Sequence, residues 1–134
     1  MDSKIKTKTI RQSAVFKATP HQVYETLMDS KKHSQFSGEK ASISRKVGVK
    51  FTAYDGWIQG RNLELVKDRK IVQLWRGDDW PKGHFSKATF KFSGKGNVTR
   101  LEFIQEGVPV DVYKDISEGW KEHYWEKMKK QLEK

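Results

Sequence analysis

Apolar and polar residues alternate in several segments of the chain, which is the pattern of β-strands that bury one face. In the segment Ile5–Phe16, the apolar residues Ile10, Ala14 and Phe16 share one parity. Six further segments are strand-like and are separated by residues typical of turns: Ala41–Ser44, Val49–Tyr54, Trp57–Val66, Lys70–Arg76, Phe85–Ser93 and Val98–Val108. Short connections between successive strands favour antiparallel pairing, so the pattern predicts one antiparallel sheet.

A helical segment follows the first strand. Thr19 is a favourable N-cap, Pro20 suits the first helical position, and Gln22 completes a capping box. The apolar residues after the cap recur at helical spacing: Val23, Tyr24, Leu27 and Met28. At Asp29 this helix either ends or gives way to a second short helix that runs through Phe36.

The period of the pattern changes from about Asp111 onward. Apolar residues now recur every four positions, and charged residues lie between them: Ile116, Trp120, Tyr124, Met128 and Leu132. This spacing predicts a long amphipathic helix with one aromatic face. Because an antiparallel sheet needs a cover for its buried face, we expect this helix to pack into it. The predicted fold class is α+β, a curved antiparallel sheet of about six or seven strands wrapped around a long C-terminal helix, with short helices after strand 1.

Strand parity also indicates which side chains face the helix, and some of these are polar. The alternation directs Gln12, Ser86, Thr99 and Gln105 inward among apolar neighbours, whereas the strands Trp57–Val66 and Lys70–Arg76 have mixed parity. The inward polar groups either lie near strand ends and reach water or each other, or line a ligand cavity as polar anchors. The second alternative gives a set of cavity candidates: Gln12, Phe51, Ser86, Phe90, Thr99, Phe103, Gln105, Trp120 and Tyr124.

Composition narrows the class of protein. The 134 residues (15.7 kDa) suit a single domain, 1–134, and sixteen aromatic residues can build its core although only 35% of the chain is hydrophobic. Cysteine is absent, which excludes disulfides, a thiolate nucleophile and Cys-ligated metal. No apolar run is long enough for a membrane span, and Met1 to Arg11 lacks the apolar core of a secretory signal, so we expect a cytoplasmic protein.

Catalytic and metal-binding motifs are missing from the sequence. The four histidines, His21, His33, His84 and His123, form no metal-ligand pattern, and no nucleophile elbow, phosphate loop or dinucleotide fingerprint occurs. We therefore expect neither enzymatic activity nor a cofactor. The formal net charge of +10 favours acidic partners. Because the sequence shows no basic recognition helix or single-strand-binding motif, nucleic acid is not an expected partner.

The most distinctive local cluster contains Trp75, Arg76, Trp80 and Pro81. One interpretation is structural: Trp75 belongs to the core, Arg76 covers its edge, and His84 hydrogen-bonds the loop. The other is functional, because exposed Trp and Arg side chains are over-represented in the centres of protein interfaces. Under that hypothesis the partner-interface candidates are Arg76, Trp80 and His84.

Five ordered motifs resemble one known family. They are Tyr54-Asp55-Gly56-x-Ile58-x-Gly60, Leu63-Glu64-Leu65, Ile71-Val72-x-x-Trp75-Arg76-x-x-x-Trp80-Pro81-x-x-His84-x-Ser86, Gly107-Val108-Pro109 and Gly119-Trp120-x-x-x-Tyr124-Trp125. In this order and spacing they resemble the C-terminal domain of the activator of heat-shock protein 90 ATPase, over a stretch from about Ile10 to the C-terminus. The family belongs to the START-like, helix-grip superfamily, which implies a curved antiparallel sheet that grips a long C-terminal helix.

The resemblance implies two functions. In the activator, the similar domain contacts the N-terminal ATPase domain of the chaperone and helps it close, which implies a non-enzymatic, co-chaperone-like binding module here. The 134 residues leave no room for the activator's separate N-terminal domain, so weaker stimulation is expected. The wider superfamily binds sterols, lipids and other apolar molecules, and the alternative is therefore a carrier or sensor of a small apolar ligand between sheet and helix.

Overall fold

The structure is a computed structural model that describes residues 5–133. Residues 1–4 and 134 belong to the predicted domain 1–134, and residues 1–4 to the expected leader-free N-terminus, but they lie outside the described part. The elements of that part follow one another as β1 (Thr7–Phe16), α1 (Pro20–Met28), α2 (Ser30–Ser37), β2 (Lys50–Ala53), β3 (Ile58–Val66), β4 (Lys70–Gly77), β5 (Ser86–Lys95), β6 (Val98–Pro109) and a C-terminal helix.

The six strands of residues 5–133 form one sheet in the order β1-β6-β5-β4-β3-β2. All five neighbouring pairs are antiparallel, and β2 to β6 follow each other along the sheet as they do along the chain. The first strand crosses to the far edge and pairs with β6, while α1 and α2 fill the connection to β2. The predicted α+β fold, a curved sheet with a long C-terminal helix and short helices after strand 1, is confirmed.

The C-terminal helix changes its winding in the middle. A 3₁₀ turn (Val110–Val112) leads into α3 (Tyr113–Gly119), a π-helical segment (Trp120–Trp125) and α4 (Glu126–Leu132). A regular α-helix has 3.6 residues per turn, so an apolar repeat of four would drift around its surface. The looser i→i+5 winding of a π segment offsets this drift. Ile116, Trp120, Tyr124 and Met128 are consequently all buried.

The two short helices have the caps that the sequence predicts. Thr19 accepts a hydrogen bond from the backbone N–H of Gln22, and the side chain of Gln22 accepts one from the backbone of Thr19. The first helix ends at Met28, and Asp29 then caps α2 by accepting from the N–H of Lys32 at 3.0 Å. The open question at Asp29 is therefore settled in favour of two helices.

The predicted strand Ala41–Ser44 is wrong. Only an isolated bridge between Ser42 and Thr52 forms there. Two backbone N–H groups of this segment are bound by serine side chains of α2. Ser34 Oγ accepts from the N–H of Ala41 at 3.0 Å, and Ser30 Oγ accepts from the N–H of Ile43 at 2.8 Å. Because these donors are already satisfied by side chains, the segment does not continue into a strand ladder.

A β-bulge explains why the parity of β3 is mixed. Pairing with β4 passes from Asn62↔Gln73 to Glu64↔Val72, so Leu63 is the extra residue and the side chains beyond it change face. Asn62 is fully buried at the bulge. Its Nδ2 donates to the carbonyls of Ser44 (2.7 Å) and Lys46 (3.1 Å) and so holds the connection before β2 against the sheet.

We expect Asn62→Ala to lower the free energy of unfolding by about 2 kcal/mol, because it leaves two carbonyl acceptors and the amide of Gln73 without their partner. Urea unfolding followed by circular dichroism measures the loss. Asn97→Ala in the exposed turn between β5 and β6 is the control and should change stability by less than about 0.5 kcal/mol. Equal losses for the two variants would contradict the role of Asn62.

Candidate functional site

The centre of the concave face is filled by aromatic rings. Trp120 lies 4.4 Å from Phe103 between ring centroids and stacks on Trp125 at 5.4 Å. Phe90 packs against both Phe103 and Trp120, at 5.0 and 5.7 Å. The predicted packing of the C-terminal helix against the sheet is therefore present through Trp120, and at this position it is a packed core, whereas Tyr124 contacts Phe36 and Tyr54 outside the strands.

The inward polar residues are bonded to one another and to the helix. Gln105 accepts from Trp120 Nε1 at 2.7 Å and donates to Ser86 Oγ at 2.9 Å, and Ser86 donates to the carbonyl of Trp75 at 2.8 Å. Gln12 likewise accepts from Trp125 Nε1 at 2.7 Å. These bonds stabilise the helix against the sheet, since the indole N–H groups of Trp120 and Trp125 both find acceptors in the core.

The remaining cavity candidates are core residues too. Thr99 donates to the carbonyl of Ala18 at 2.7 Å, and Phe51 is buried against Gly60, where an added Cβ would collide with the Phe51 ring. Of the nine candidates, two line an open cleft: Trp120 and Tyr124. The other seven do not line it, because their polar atoms and rings are used in the helix–sheet core.

The cleft lies between the first half of the C-terminal helix and the turns at the end of the sheet. Its volume is about 590 Å³, within the range of roughly 300–1,000 Å³ that small-molecule sites have. It is lined by Glu39, Tyr54, Asp55, Trp57, Ile58, Trp75, Asp79, Val112, Asp115, Ile116, Glu118, Gly119, Trp120, Glu122, His123 and Tyr124.

Aromatic side chains form the walls of this cleft. Trp57 is 39% exposed and meets Trp75 edge to face at 6.3 Å, and Trp75 packs on Trp120 at 5.4 Å. Tyr124 in turn packs on Trp120 at 4.5 Å and lies 5.7 Å from Tyr54. An exposed tryptophan at the mouth and buried rings below it give the cleft an apolar interior.

A strained turn places Tyr54 and Trp57 on the cleft. Tyr54 and Asp55, between β2 and β3, have φ angles of 50° and 57°, which residues with a side chain seldom adopt, and Gly56 follows at 91°. Such backbone strain concentrates at functional sites. Here the left-handed turn puts Tyr54, Asp55 and Trp57 on the cleft within four residues of chain.

The rim of the cleft is acidic although the chain is basic. Among residues 5–133, six carboxylates line it and neither Lys nor Arg does, while basic residues outnumber acidic ones by 27 to 17 in the whole chain. The six residues are exposed: Glu39, Asp55, Asp79, Asp115, Glu118 and Glu122. Within residues 5–133 the ion pairs join other residues, so these carboxylates are not neutralised by neighbouring cations.

A buried histidine supports the cleft wall from behind. His33 is 3% exposed, and its Nε2 lies 3.1 Å from the hydroxyl of Tyr124. Burial lowers the pKa of His33 to about 4 and raises the pKa of the Tyr124 hydroxyl well above 10. Burial, and next the charge of Glu39, also raise the pKa of Tyr54. The imidazole and both phenols are therefore neutral near pH 7.

The partner-interface candidates lie on the neighbouring loop between β4 and β5. Trp80 is 4% exposed and packs on Trp75 at 5.5 Å, so the expectation that Trp80 is exposed is wrong. Arg76 donates to the carbonyl of Trp80 at 2.7 Å, and His84 Nε2 to that of Gly107 at 2.8 Å. These contacts match the structural interpretation, in which Arg76 and His84 hold the loop.

The sequence does contain one signal for the rim. Asp115, Glu118 and Glu122 are spaced i, i+3 and i+7, which places three carboxylates on one face of the helix. That stripe is distinct from the aromatic stripe and by itself is typical of a solvated face. No cluster of three or more metal-ligating side chains occurs among residues 5–133, and none of the helices described there is long and apolar enough to cross a membrane.

Comparison with known proteins identifies the family. The family profile described as activator of Hsp90 ATPase homolog 1-like protein matches residues 17–133. An activator of 90 kDa heat shock protein ATPase homolog from Dictyostelium discoideum is 36% identical over 124 residues, which cover 92% of this chain and 32% of that protein. Homolog 1 from Homo sapiens is 30% identical over 126 residues, 94% of this chain and 37% of that protein.

Solved structures agree with the profile. A crystal structure of an HSP90 activator from Plasmodium falciparum superposes with a TM-score of 0.88 at 25% identity, over 93% of this chain and 96% of the other. The solution structure of the Aha1 dimer from Colwellia psychrerythraea, 17% identical, has the same fold with a TM-score of 0.79, over 94% of this chain and 96% of the other. The chain spans about a third of the length of the curated relatives it matches. Because the profile covers most of the chain, this protein belongs to the family of activator of Hsp90 ATPase homolog 1-like proteins.

Proposed function

We propose that this chain is a co-chaperone domain that binds a heat-shock protein 90 class chaperone and stimulates its ATPase. The observation that carries the proposal is the match of residues 17–133 to the activator family, supported by 36% identity to a relative named as an activator. The fold supports it as well, since an HSP90 activator of known structure superposes over nearly the whole of both chains. In this role the chaperone hydrolyses ATP, and this chain needs no catalytic group.

The loop between β4 and β5 is our proposed contact surface. Phe85 is 40% exposed at the end of this loop, and the Arg76 guanidinium lies 5.9 Å from its ring centroid. Arg76 and His84 fix the loop through hydrogen bonds to backbone carbonyls. A partner that covers Phe85 would bury an exposed ring on a preorganised support, which is how interface anchors act.

Adding the chain to a heat-shock protein 90 class chaperone should raise the rate of ATP hydrolysis in a saturable manner. Because the net charge is +10, the affinity should fall several-fold as ionic strength rises. A coupled ATPase assay measures the rate, and calorimetric titration with the chaperone's isolated ATPase domain measures binding. Absence of binding at high micromolar concentration, or binding without any change in hydrolysis, would contradict the proposal.

Phe85→Ala tests the contact surface in the same assays. It should weaken binding by about tenfold or more, whereas Val98→Ala, which shortens an equally exposed side chain in the hairpin between β5 and β6, should leave binding unchanged. Both variants alter exposed residues, so the fold should be kept. If Phe85→Ala binds and stimulates like the unmodified chain, the contact surface lies elsewhere.

The alternative, a carrier of a small apolar ligand between sheet and helix, has less support. The rings of Phe90, Phe103, Trp120 and Trp125 fill that position, and Gln105 is fully buried among them. The open space is the cleft at the end of the interface, and its rim carries six carboxylates. These exposed carboxylates would make no favourable contact with an uncharged apolar molecule.

A further inference from the structure

We propose that the cleft between the C-terminal helix and the Tyr54–Trp57 turn is a binding site for small organic ammonium ions that carry an aromatic or apolar body. The inference does not depend on the proposed chaperone contact, because the cleft shares only Asp79 with the loop between β4 and β5. Three properties of the cleft support it: its volume, its aromatic walls and the sign of its rim.

The volume and walls define the body of the ligand. A cleft of about 590 Å³ whose walls include Trp57, Trp75, Trp120, Tyr54 and Tyr124 can enclose a molecule of drug-like size. Trp57 is 39% exposed, so a ligand ring placed against it removes apolar surface from water. The tip of a single lysine side chain would fill little of this space, which favours a small molecule over a basic segment of a protein.

The rings also favour a positive charge. The faces of tryptophan and tyrosine rings carry negative electrostatic potential and attract ammonium groups within about 6 Å. Lys127 Nζ lies 6.0 Å from the centroid of the Tyr54 ring, although Lys127 does not line the cleft, so this ring already has one ammonium group over it from outside the cleft. Both phenol groups are neutral, so the rings act through their faces and not as phenolates.

Because the rim of the cleft is acidic, we expect the ligand to carry a positive charge. Six exposed carboxylates surround the cleft, no Lys or Arg lines it, and none of the six forms an ion pair within the described residues 5–133. The net charge of the chain acts in the opposite direction, since +10 attracts anions and repels cations at long range. Preference for a cation would therefore be a property of the cleft and not of the protein as a whole.

A glycine of the C-terminal helix leaves space for the ligand in the cleft. Gly119 lies on the cleft, and a Cβ added there would meet only His123 Cδ2, at 3.8 Å. The absence of a side chain at this position keeps the floor between Asp115 and Glu122 open. The adjoining π-helical segment, Trp120–Trp125, brings Trp120 and Tyr124 to the same wall, and such segments often occur at functional sites.

Three matched probes test the proposal: 2-phenylethylammonium, 2-phenylethanol and 3-phenylpropanoate. Each is titrated into the full ¹⁵N-labelled chain at pH 7, and binding is followed by NMR through the five tryptophan indole N–H signals. We expect the ammonium to bind at least about tenfold more tightly than the carboxylate and more tightly than the alcohol. The signals of Trp57, Trp75 and Trp120 should shift most, because Trp80 and Trp125 do not line the cleft.

Two sets of substitutions locate the charge effect. Asp115→Asn/Glu118→Gln/Glu122→Gln should weaken ammonium binding about tenfold and leave the alcohol unchanged. Glu102→Gln/Glu106→Gln/Glu126→Gln changes the net charge equally at exposed positions outside the cleft and should have no such effect. Gly119→Leu places a side chain on the floor and should weaken the ammonium and the alcohol alike, since it excludes the shared ring.

The proposal is overturned if the carboxylate or the alcohol binds as tightly as the ammonium, or if the two triple variants behave alike. It is also overturned if the shifts appear at Trp80 or Trp125 instead. Nα-acetyl-lysine amide supplies the same ammonium on a flexible stem without a ring. Tighter binding of this probe than of 2-phenylethylammonium would assign the cleft to lysine side chains of a protein partner and reject the small ligand.

Discussion

Replacing Trp120 with alanine should lower the free energy of unfolding by about 5 kcal/mol. The ring is 2% exposed and touches both layers of the fold, with Phe103 at 4.4 Å and Tyr124 at 4.5 Å. Removing it leaves a large cavity, and loss of the indole N–H also leaves Gln105 Oε1 unpaired although Gln105 is fully buried. A loss of this size is close to the whole stability of many small domains, about 5–15 kcal/mol.

Two further variants separate the cavity from the hydrogen bond. Trp120→Phe keeps an aromatic ring but cannot donate, and should cost about 2–3 kcal/mol. Adding Gln105→Leu removes the unpaired amide, while Ser86 keeps its own bond to the carbonyl of Trp75. The double variant should therefore be more stable than the sum of the single losses predicts.

Urea unfolding followed by circular dichroism measures all these variants, since the substitution itself changes tryptophan fluorescence. If Trp120→Ala proves too unstable to purify, Trp120→Phe, Gln105→Leu and the double variant still give the interaction energy between the two residues. A loss below about 2 kcal/mol for the alanine variant, or strictly additive effects of Trp120→Phe and Gln105→Leu, would contradict the role assigned to this pair.

The central packing was predictable because side-chain direction in a regular strand follows a period of two. Ile10, Ala14 and Phe16 are buried as that period requires, and Gln12 between them also faces the helix. The same rule directed Gln105 inward. Strand parity could not predict the hydrogen-bond partners of these glutamines, because the partners lie elsewhere in the chain. Trp125 is 113 positions from Gln12, and Trp120 is 15 positions from Gln105.

Strand periodicity did not predict the structure where a local irregularity interrupts a strand or replaces its backbone partners. One extra residue at Leu63 reverses the faces of β3, and no composition signal marks that bulge. Hydroxyls of Ser30 and Ser34 take the backbone partners that a strand at Ala41–Ser44 would need. At Ala41–Ser44 the outcome depends on which hydrogen-bond partner the backbone meets in the folded chain, and local sequence does not encode this.

The cleft was the hardest feature to predict. Its rim comes from four parts of the chain, around Glu39, Asp55, Asp79 and the face that carries Asp115. Taken alone, each part carries only exposed acidic residues of an ordinary kind. Folding brings the parts together, and a left-handed turn at Tyr54 and Asp55, a conformation that non-glycine residues seldom adopt, contributes Tyr54, Asp55 and Trp57 to the cleft.

Acidification should destabilise the protein through His33. Burial among the rings of Phe36, Tyr54 and Tyr124 lowers the pKa of His33 from 6.5 to about 4, and the backbone of His33 itself opposes this effect more weakly. Between these two values the unfolded chain binds a proton that the folded chain excludes. The stability is therefore fully present above pH 6.5 and falls as the pH drops toward 4, by about 3 kcal/mol in total.

His33→Gln isolates this contribution. The amide cannot titrate but can still bond the Tyr124 hydroxyl, so the variant should lose part of its stability at pH 7 and most of the dependence between pH 6.5 and 4. Carboxylates with lowered pKa values, such as Asp29, act at still lower pH and are common to both proteins. Their effect cancels in the difference between the two chains.

Urea unfolding at closely spaced pH values gives the comparison, with His123→Gln as a matched control. His123 is exposed on the cleft, and its replacement keeps His33 and should keep the pH dependence. If His33→Gln and the unmodified chain lose stability in parallel between pH 6.5 and 4, His33 is not the group that excludes the proton. If only His33→Gln flattens the curve, burial of this imidazole behind Tyr124 couples the stability of the cleft wall to pH.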